Sequence, residues 1–398
     1  MKVFVINSGS SSIKYQLIQM PAGDVICTGM IDRIGLEGSS ITHKTFQEGK
    51  EVVHKLAIRI TDHAAGLSEA ARLLSDKDIG VIKSPDELDA VGHRVVHGGE
   101  AFSKTMIITD AVKAKIKELF PLAPLHNPPN YLGIEVAEKI FPKATQVAVF
   151  DTAFHQTMPP VAFRMAIPNE LYEKHQIRAY GFHGTSHKYV SAQAAAYLKS
   201  KSARIITIHL GNGCSMAAVR DGACIDTTMG LGPMNGLIMG TRTGDIDQSV
   251  IFHLIHQLGY SVDDVNTMLN KKSGMLGLTG SSDMRDVKAA YQKGNAEAQL
   301  AYTMYAYHIK KYIGAFVAAL GGLDAIVFTA GVGENDALTR KLSTEGLEYL
   351  GLKLDGTKNE AGGKGIYEIN TSDSPAKILV IPTNEEREIA NQCYGLLK

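Results

Sequence analysis

The sequence predicts an α/β protein of two domains, and three observations support this class. The chain has 398 residues, 44% of them hydrophobic, which is more than one core of ordinary size accommodates. Short β-branched apolar runs alternate with amphipathic helical stretches. A pattern of strand, glycine turn, strand, turn and strand occurs in residues 3–31 and again in residues 204–228. We therefore expect two halves built alike, each with a polar hairpin tip.

The first predicted hairpin has a tip made almost entirely of serine and glycine. Residues 3–7 form an apolar run that predicts a buried strand, residues 8–12 read Ser-Gly-Ser-Ser-Ser, and strand alternation resumes at residues 13–18, which include Lys14. Hydroxyls, backbone N–H groups and an ammonium suit a polyphosphate, and the amide of Asn7 suits a metal-bound water. The alternative is a plain serine-rich turn with a surface lysine.

The rest of the first half predicts a mixture of strands and amphipathic helices. Asn127 is expected to cap a helix whose first turn takes Pro128 and Pro129, where proline is tolerated. The other elements of this half follow from hydrophobic periodicity. They are strands at 25–31, 41–46, 51–56, 89–96 and 145–150, and helices at 61–74 and 109–120.

The second half repeats this composition and ends in a helix. Residues 329–335 read as a glycine turn between a strand and a helix, which is a favourable anion site. Thr383 and Glu386 predict a capping box for the final helix. The other elements are strands at 204–210, 214–219, 223–228, 324–328 and 377–381, and helices at 185–198, 246–258, 261–270 and 295–320.

These elements suggest a domain division without a low-complexity linker. We expect an N-terminal lobe over residues 1–150, joined by the final helix at 383–398. A C-terminal lobe over residues 151–382 is expected to bind the nucleotide and to form the dimer. Two similar lobes imply a cleft and a hinge.

Composition excludes several classes of function. The 41 basic and 41 acidic residues balance, so there is no electrostatic footprint for nucleic acid or an anionic membrane. Four cysteines without a C-x-x-C pair indicate reduced thiols rather than disulfides or structural zinc. The apolar run near the start is too short for a signal peptide, and glycines split the longest apolar tract, residues 313–330. We therefore expect a cytoplasmic protein.

Several segments place a cation or an imidazole next to a small apolar side chain. Arg94 and Val96 share one face of a predicted strand, and His183 and Arg242 stand in glycine-rich segments. This combination suits a ligand with an anionic head and a short hydrocarbon tail. The alternative for each is a structural salt bridge or a satisfied core histidine. There is no P-loop and no protein-kinase catalytic loop. Of the two histidine pairs spaced i, i+4, His93 and His97 lie in a predicted strand, and His183 and His187 lack the acidic partner of a zinc site.

Five motifs together carry a resemblance to a known family. They are VINSGSSSIKY, GHRVVHGG, VFDTAFHQTMP, YGFHGTSH and FTAGVGEN, and the likeness continues from residue 1 to the closing PTNEE. In these motifs the chain resembles the acetokinase family, at matched spacing and over essentially its whole length. The resemblance implies two duplicated ribonuclease H-like lobes of the actin, Hsp70 and sugar-kinase type around a nucleotide cleft, and a homodimer. It also implies reversible, Mg²⁺-dependent transfer of the γ-phosphoryl group of ATP to acetate, giving acetyl phosphate and ADP, with Mn²⁺ as a substitute metal.

The resemblance further implies a role for each matched position. The catalytic residues would be Asp151, His183 and Arg242, and the metal would be held at Asn7 and Glu385. Acetate would contact Arg94, Val96, Leu125, His126, Phe182 and Pro233. The nucleotide would contact Ser10, Ser12, Lys14, His209, Leu210, Gly211, Asn212, Gly213, Asp283, Met284, Arg285, Gly331, Val332, Gly333, Glu334 and Asn335.

The chemistry of the acceptor restricts what Asp151 can do. A carboxylic acid that titrates near about 4 is already ionised at neutral pH, so acetate needs no general base. Asp151 is therefore expected to position Arg94 or a metal-bound water. The difficulty is repulsion between two anions, which Mg²⁺, lysine, the arginines and histidine would relieve.

Other functions stay open at this point. Within the same family, the acceptor could be propionate, or the donor pyrophosphate. A sugar kinase would give Asp151 a role as a base, but its site would hold more hydrogen-bonding side chains than arginines. An actin-like or Hsp70-like ATPase would share the phosphate loops without needing the Arg94 and Val96 pair.

Overall fold

The computed structural model describes residues 1–9, 11–47 and 50–398, and this part of the chain divides into two compact units. The first unit comprises Met1–Phe154 together with Asn384–Lys398, and the second comprises His155–Thr383. Each unit is built around one mixed β-sheet with helices packed on it. The mixed α/β class expected from the sequence is thus confirmed.

The first unit contains strands β1 to β8 and helices α1 to α3, and the chain returns to it with the last helix, α15. The strands are β1 (Lys2–Ser8), β2 (Ser12–Gln19), β3 (Asp24–Asp32), β4 (Ser40–Gln47), β5 (Lys50–Ala57), β6 (Ala90–Val95), β7 (Met106–Ile107) and β8 (Thr145–Phe150). The helices are α1 (His63–Leu74), α2 (Asp110–Glu118), α3 (Asn127–Ile140) and α15 (Glu385–Leu397).

The second unit contains the remaining elements. Its strands are β9 (Arg204–Leu210), β10 (Cys214–Arg220), β11 (Ala223–Thr227), β12 (Ala325–Thr329), β13 (Tyr367–Glu368) and β14 (Lys377–Val380). Its helices are α4 (Pro160–Phe163), α5 (Asn169–His175), α6 (Gly184–Leu198), α7 (Ser249–His256), α8 (Val262–Lys271), α9 (Gly274–Thr279), α10 (Met284–Gln292), α11 (Ala296–Leu320), α12 (Ala330–Asn335), α13 (Ala337–Thr344) and α14 (Gly356–Ala361).

The two sheets repeat one topology, as the internal pattern in the sequence predicts. Among the described residues the first sheet runs β5-β4-β3-β2-β1-β6-β8-β7 and the second runs β11-β10-β9-β12-β14-β13. In each, an antiparallel meander, of five strands in the first sheet and three in the second, is followed by two strands parallel to its first strand and by one antiparallel edge strand. The parallel strands are largely buried on both faces, which explains why β12 reads as a continuous apolar run, although β6 also carries His93 and Arg94.

Strand β1 shows how one short segment serves two cores. Phe4 and Ile6 pack with residues of α1 and α3, whereas Val3 and Val5 pack with Ile389 and its neighbours on α15. Because successive side chains of a strand point to opposite faces, β1 binds the first and last parts of the chain together.

The second sheet is covered on both faces as well. Cys214 on β10 contacts the Tyr305 hydroxyl on α11, while the next residue, Ser215, contacts His183 and His187 on α6. Helices α6 and α11 therefore lie on opposite faces of this sheet. Helix α11 buries a continuous face from Ala298 to Leu320, consistent with a core role.

Two of the capping predictions were wrong. Helix α3 has His126 at its N-cap, and the Asn127 side chain instead bonds the backbone of His97. Helix α15 is capped by Asn384, whose side chain accepts from the Arg387 N–H, while the Thr383 hydroxyl lies 2.7 Å from that of Ser186. In both cases a tertiary hydrogen bond outcompetes the local cap.

Two global properties agree with the composition. The four cysteines are free and buried in the described structure, as expected for reduced thiols. No helix in the described ranges combines the length and apolarity needed to span a membrane.

We predict that Gly29→Ala destabilises the first unit by about 1–3 kcal/mol, because overpacking a full core forces its neighbours to move. A Cβ on Gly29 would clash with the ring of Tyr15, whose hydroxyl lies 2.8 Å from His43 Nδ1. Thermal denaturation should show a lower melting temperature.

Gly314→Ala is the matched control for this substitution. Gly314 lies inside α11 and a Cβ there meets no atom within 4 Å, so alanine should be neutral or stabilise by up to about 1 kcal/mol. Equal melting temperatures for the two variants would contradict the assigned packing around Tyr15.

Candidate active site

The polar hairpin predicted near the N-terminus is present in the first unit. β1 and β2 pair in antiparallel register with Asn7 opposite Lys14, and the Gly9 N–H donates to the Ser12 carbonyl over 2.8 Å. The Lys14 side chain is exposed. Ser10, which the resemblance assigns to the nucleotide, lies outside the described residues. The described part of the hairpin thus presents an amide, a hydroxyl and an exposed lysine side chain at one sheet end.

Arg94 and Asp151 form an ion pair at the ends of two parallel strands. Arg94 lies on β6, and Asp151 follows β8 directly and is 1% exposed. Arg94 donates from Nε to Asp151 Oδ2 over 2.9 Å and from Nη2 to the same oxygen, and from Nη1 to Asn7 Oδ1 over 3.2 Å. Burial lowers the pKa of Arg94, but the carboxylates of Asp151 and Glu385 outweigh burial and raise it above its usual range. The guanidinium is therefore a permanent, oriented cation.

Glu385 adds a second carboxyl group to this cluster. It is the first residue of α15, and burial together with the carboxylates of Asp151 and Glu386 raises its pKa to about 7, while Arg94 and Lys14 act in the opposite sense. A nearby cation would strongly stabilise the ionised form of a carboxyl group in such surroundings.

The donor set at Asn7 and Glu385 fits a hard divalent cation. Mg²⁺ prefers oxygen ligands, keeps several waters and is commonly held by one or two carboxylates plus substrate phosphates. The described residues contain no group of three or more His, Cys, Asp or Glu side chains arranged around a metal.

The chain after β6 is held by two asparagines that the sequence analysis did not assign to the site. Asn130 Oδ1 accepts from the Val96 N–H over 3.0 Å, and its Nδ2 donates to the Ser8 carbonyl over 2.7 Å. Asn127 Oδ1 accepts from the His97 N–H, and its Nδ2 donates to the His97 carbonyl. Both asparagines are buried on the first turn of α3, so this helix fixes the position of Val96.

The other predicted acetate contacts of the first unit differ in exposure. Val96 is 6% exposed, whereas Leu125 is 63% exposed in the loop before α3. His126 follows at the N-cap of that helix. Val96 is thus the enclosed apolar group of this set, and Leu125 is not enclosed within the first unit.

In the second unit, Phe182 and His183 precede α6 in an unusual backbone conformation. Phe182 is 3% exposed, and its carbonyl accepts from His155 Nε2 over 2.9 Å. His183 has a φ of 56°, in the left-handed region that non-glycine residues occupy at a cost. Its ring stacks on His209 with centroids 4.3 Å apart. The imidazole is therefore fixed in position by the loop and by stacking.

Arg242 shares the surroundings of this histidine. Its Nη1 donates to the Pro233 carbonyl over 3.0 Å, and burial lowers its pKa. A Cβ built on Gly213 would lie 3.4 Å from His183 Nε2 and 3.6 Å from Arg242 Nη1. The bare Gly213 backbone therefore leaves both polar groups beside the turn that ends β9.

A cavity of about 740 Å³ in the second unit brings three separate segments together. It is lined by residues predicted to contact the nucleotide, namely Gly211, Asn212, Asp283, Met284, Arg285, Gly331, Val332 and Asn335. Asp283 caps α10 and is bonded by the Arg285 side chain, which lowers the pKa of Asp283 to about 2.

The same cavity has lining residues that the sequence analysis missed. They are Ser282, Lys288, Ala289, Gln292 and Asp336. Lys288 Nζ lies 2.8 Å from Asp336 Oδ1, so an ion pair joins α10 to the start of α13. The helical spacing of residues 285, 288, 289 and 292 marks one face of α10 and could have identified three of them.

The remaining predicted nucleotide residues of this unit do not line the cavity. Leu210 and Gly333 are buried, His209 stacks on His183, Gly213 lies in the turn, and Glu334 accepts from the Thr383 N–H over 3.1 Å. The expected glycine turn at 329–335 is helical instead, because α12 begins at Ala330.

Comparison with known proteins supplies the family. The model of the acetokinase family matches residues 2–391. The acetate kinase of Flavobacterium johnsoniae is 59% identical over 398 residues, covering all of both chains. The crystal structure of Porphyromonas gingivalis acetate kinase is 46% identical and superposes with a TM-score of 0.93 over all of both chains. A propionate kinase from Francisella tularensis is 42% identical, with a TM-score of 0.91 over 98% of each chain.

These likenesses extend over the two units and every motif described above, and they confirm the resemblance and the duplicated kinase fold inferred from the sequence. The chain belongs to the acetokinase family.

Proposed function

We propose that this protein transfers the γ-phosphoryl group of ATP to acetate, reversibly, to give acetyl phosphate and ADP. The full-length likeness to acetate kinases supports the reaction. Arg94 is the single observation that carries the substrate class, because it is an oriented cation two residues before the enclosed apolar side chain of Val96.

The hydrogen bonds of Arg94 suit a carboxylate. Among the described residues, Asp151 takes the Nε proton and one Nη2 proton, and Asn7 takes one Nη1 proton. One N–H on Nη1 and one on Nη2 are then left for a ligand. Arginine commonly binds a carboxylate through two parallel hydrogen bonds from its N–H groups.

Asp151 acts in this proposal as the counter-charge of Arg94 rather than as a base. Acetate is ionised at neutral pH, so no proton has to leave the nucleophile. The carboxylate of Asp151 raises the pKa of Arg94 and holds the guanidinium through the hydrogen bonds from Nε and Nη2.

His183 and Arg242 of the second unit are proposed to stabilise the phosphoryl group during transfer. In such a reaction the charge is spread over three equatorial oxygens, and positioned cations and N–H donors lower the barrier. The nucleotide is proposed to occupy the cavity of the second unit, and Lys14 and Ser12 of the hairpin are proposed to contact its phosphates.

The divalent metal is proposed to be Mg²⁺, held at Asn7 and Glu385. When bound, it would neutralise phosphate charge. Asn7 offers an amide oxygen, and Glu385 is proposed to give up its proton readily in favour of the cation, because its pKa of about 7 lies close to neutral. We extend the proposal to a homodimer. We also propose that the protein works in the cytoplasm, in keeping with the free cysteines of the described chain.

Propionate is the second candidate acceptor, because a propionate kinase is 42% identical to this chain. Trapping of the acyl phosphate by hydroxylamine, with ATP, Mg²⁺ and acetate, propionate or butyrate, tests both. We expect acetate to react best and propionate to be a poorer but real substrate, since one methylene changes discrimination by about 1–3 kcal/mol. ATP hydrolysis without any hydroxamate would contradict the proposal.

Val96→Ala should narrow the preference for acetate over propionate, because it removes two methyl groups from the enclosed apolar position. The ratio of kcat/KM for the two acids measures this. Val95→Ala is the matched control: Val95 points into the core with Phe102 and Phe150, so its loss should lower stability and leave the ratio unchanged. An equal change of this ratio in both variants would contradict the assignment of Val96 to the acetate pocket.

Arg94→Gln and Asp151→Asn should each lower kcat/KM for acetate by about 100-fold, since misplacing a reactant by about 1 Å costs that much. The double variant should be no worse than the poorer single variant, because the two side chains act as one unit. Losses that multiply in the double variant would show that Asp151 has a separate task.

Arg242→Ala should reduce kcat by about 10³-fold, the range observed for arginines that stabilise transferred phosphoryl groups. Circular dichroism should stay that of the parent. Arg220→Ala, at the exposed end of β10, is the control and should keep full activity. Near-parental turnover in Arg242→Ala would refute the assignment.

A further inference from the structure

His183 stands at the end of a chain of polar groups that runs into the second unit. Its Nδ1 lies 2.8 Å from Ser215 Oγ, and the same oxygen lies 2.8 Å from His187 Nε2. On the other side of that ring, His187 Nδ1 lies 2.7 Å from Thr207 Oγ1. Two histidines and two hydroxyls thus alternate along one continuous series of hydrogen bonds.

The inner members of this hydrogen-bond series are buried, which limits the protonation states that they can adopt. Ser215, His187 and Thr207 are all 0% exposed. Burial, with smaller effects of His155 and His209, lowers the pKa of His187 well below its usual range, so the ring is neutral and carries one N–H. Each hydroxyl also has one proton to give. The chain can therefore run in one of two directions, and the direction decides which nitrogen of His183 holds the proton.

The Thr207 hydroxyl favours one direction. The 2.7 Å contact with His187 Nδ1 is present in either direction, but in the opposite one the Thr207 proton would have, among the described residues, only the Ala217 carbonyl at 3.4 Å, a long contact. Donation to the imidazole leaves the proton of His187 on Nε2, from which it donates to Ser215 Oγ. Ser215 then donates to His183 Nδ1.

We propose that Thr207, His187 and Ser215 are positioning residues that hold His183 as its Nε2–H tautomer, so that an uncharged His183 offers an N–H donor to the transferred phosphoryl group. This inference rests on the role proposed above for His183.

The surroundings of the Nε2 edge favour an uncharged donor. Nε2 and Arg242 Nη1 both flank the bare backbone of Gly213, so a second positive charge on the imidazole would meet the guanidinium at short range. Stacking on His209, with ring planes 20° apart, fixes the plane in which the N–H lies. A neutral histidine supplies directional donation there without that repulsion.

Nitrogen NMR on protein labelled with ¹⁵N-histidine tests the tautomer directly, with His183→Gln and His187→Gln used for assignment. We expect His183 to show a protonated, pyrrole-type Nε2 and an unprotonated Nδ1. The opposite pattern, or an imidazolium at neutral pH, would overturn the proposal.

Kinetics of Ser215 variants test its consequence. Ser215→Ala should lower kcat by about 10–100-fold, as loss of a residue that orients a functional histidine does, with KM for ATP and acetate changed by less than about threefold. Ser215→Thr, which keeps the hydroxyl, should restore most of kcat.

Ser343→Ala is the matched control for removal of a buried hydroxyl in the same unit. Among the described residues Ser343 Oγ has no hydrogen-bond partner and its residue is fully buried, so kcat should not change. Thermal denaturation of all variants separates folding from positioning. A parental kcat in Ser215→Ala overturns the positioning role, and so does failure of the threonine variant to restore activity in a folded protein.

The tautomer measurement stays informative if the proposed function fails. Suppose that the parent protein makes no acyl phosphate. A proton on Nε2 of His183 would still support the proposed direction of the hydrogen bonds from Thr207 to His183, and a proton on Nδ1 would still contradict it. Should the parent be active and Ser215→Ala be fully active too, the positioning role falls while the phosphotransferase stands.

Discussion

The partly buried ion pair between Arg94 and Asp151 is the interaction on which the first unit's site depends. A guanidinium taken out of water is costly unless a counter-charge accompanies it, and removal of one partner strands the other. The fold provides the pair by ending two neighbouring parallel strands, β6 and β8, at the same edge. Asn7, at the end of β1, completes the arrangement from the next strand.

The second unit solves a related problem with the same topology and different side chains. There a glycine turn joins β9 to β10 in the meander β9-β10-β11. His183, at the N-cap of α6, lies beside this turn. Repeating one strand order gives two edges suited to polar side chains, and the side chains at each edge have specialised. The edge of the first sheet holds the charged side chains of Arg94 and Asp151. The edge of the second sheet holds the imidazole rings of His183 and His209 beside a glycine turn.

Much of this architecture could be predicted from the sequence because its signals are local. The hairpin tips, the apolar parallel strands and the long helix α11 follow from periodicity and turn residues, and the chain's motifs are specific enough to indicate the family. Arg94 and Asp151 could be named, but their contact depends on strand order, which no local pattern contains.

The failures have a common physical cause. Asn127 and Thr383 carry side chains that form local caps in isolated helices, and here they bond to a distant backbone or hydroxyl group. Lys288 and Asp336 were missed for a similar reason, since a cavity wall is assembled from helix faces that are far apart in the chain. Leu125 is exposed in its own unit, and its contact with acetate stays a prediction.

The left-handed backbone at His183 has a consequence for how this protein can be altered. Glycine or asparagine adopts that conformation more readily, so either replacement would relieve local strain by about 1 kcal/mol while deleting the imidazole. Substitutions chosen for stability alone would therefore favour glycine or asparagine at position 183, at the expense of the side chain proposed to donate to the phosphoryl group.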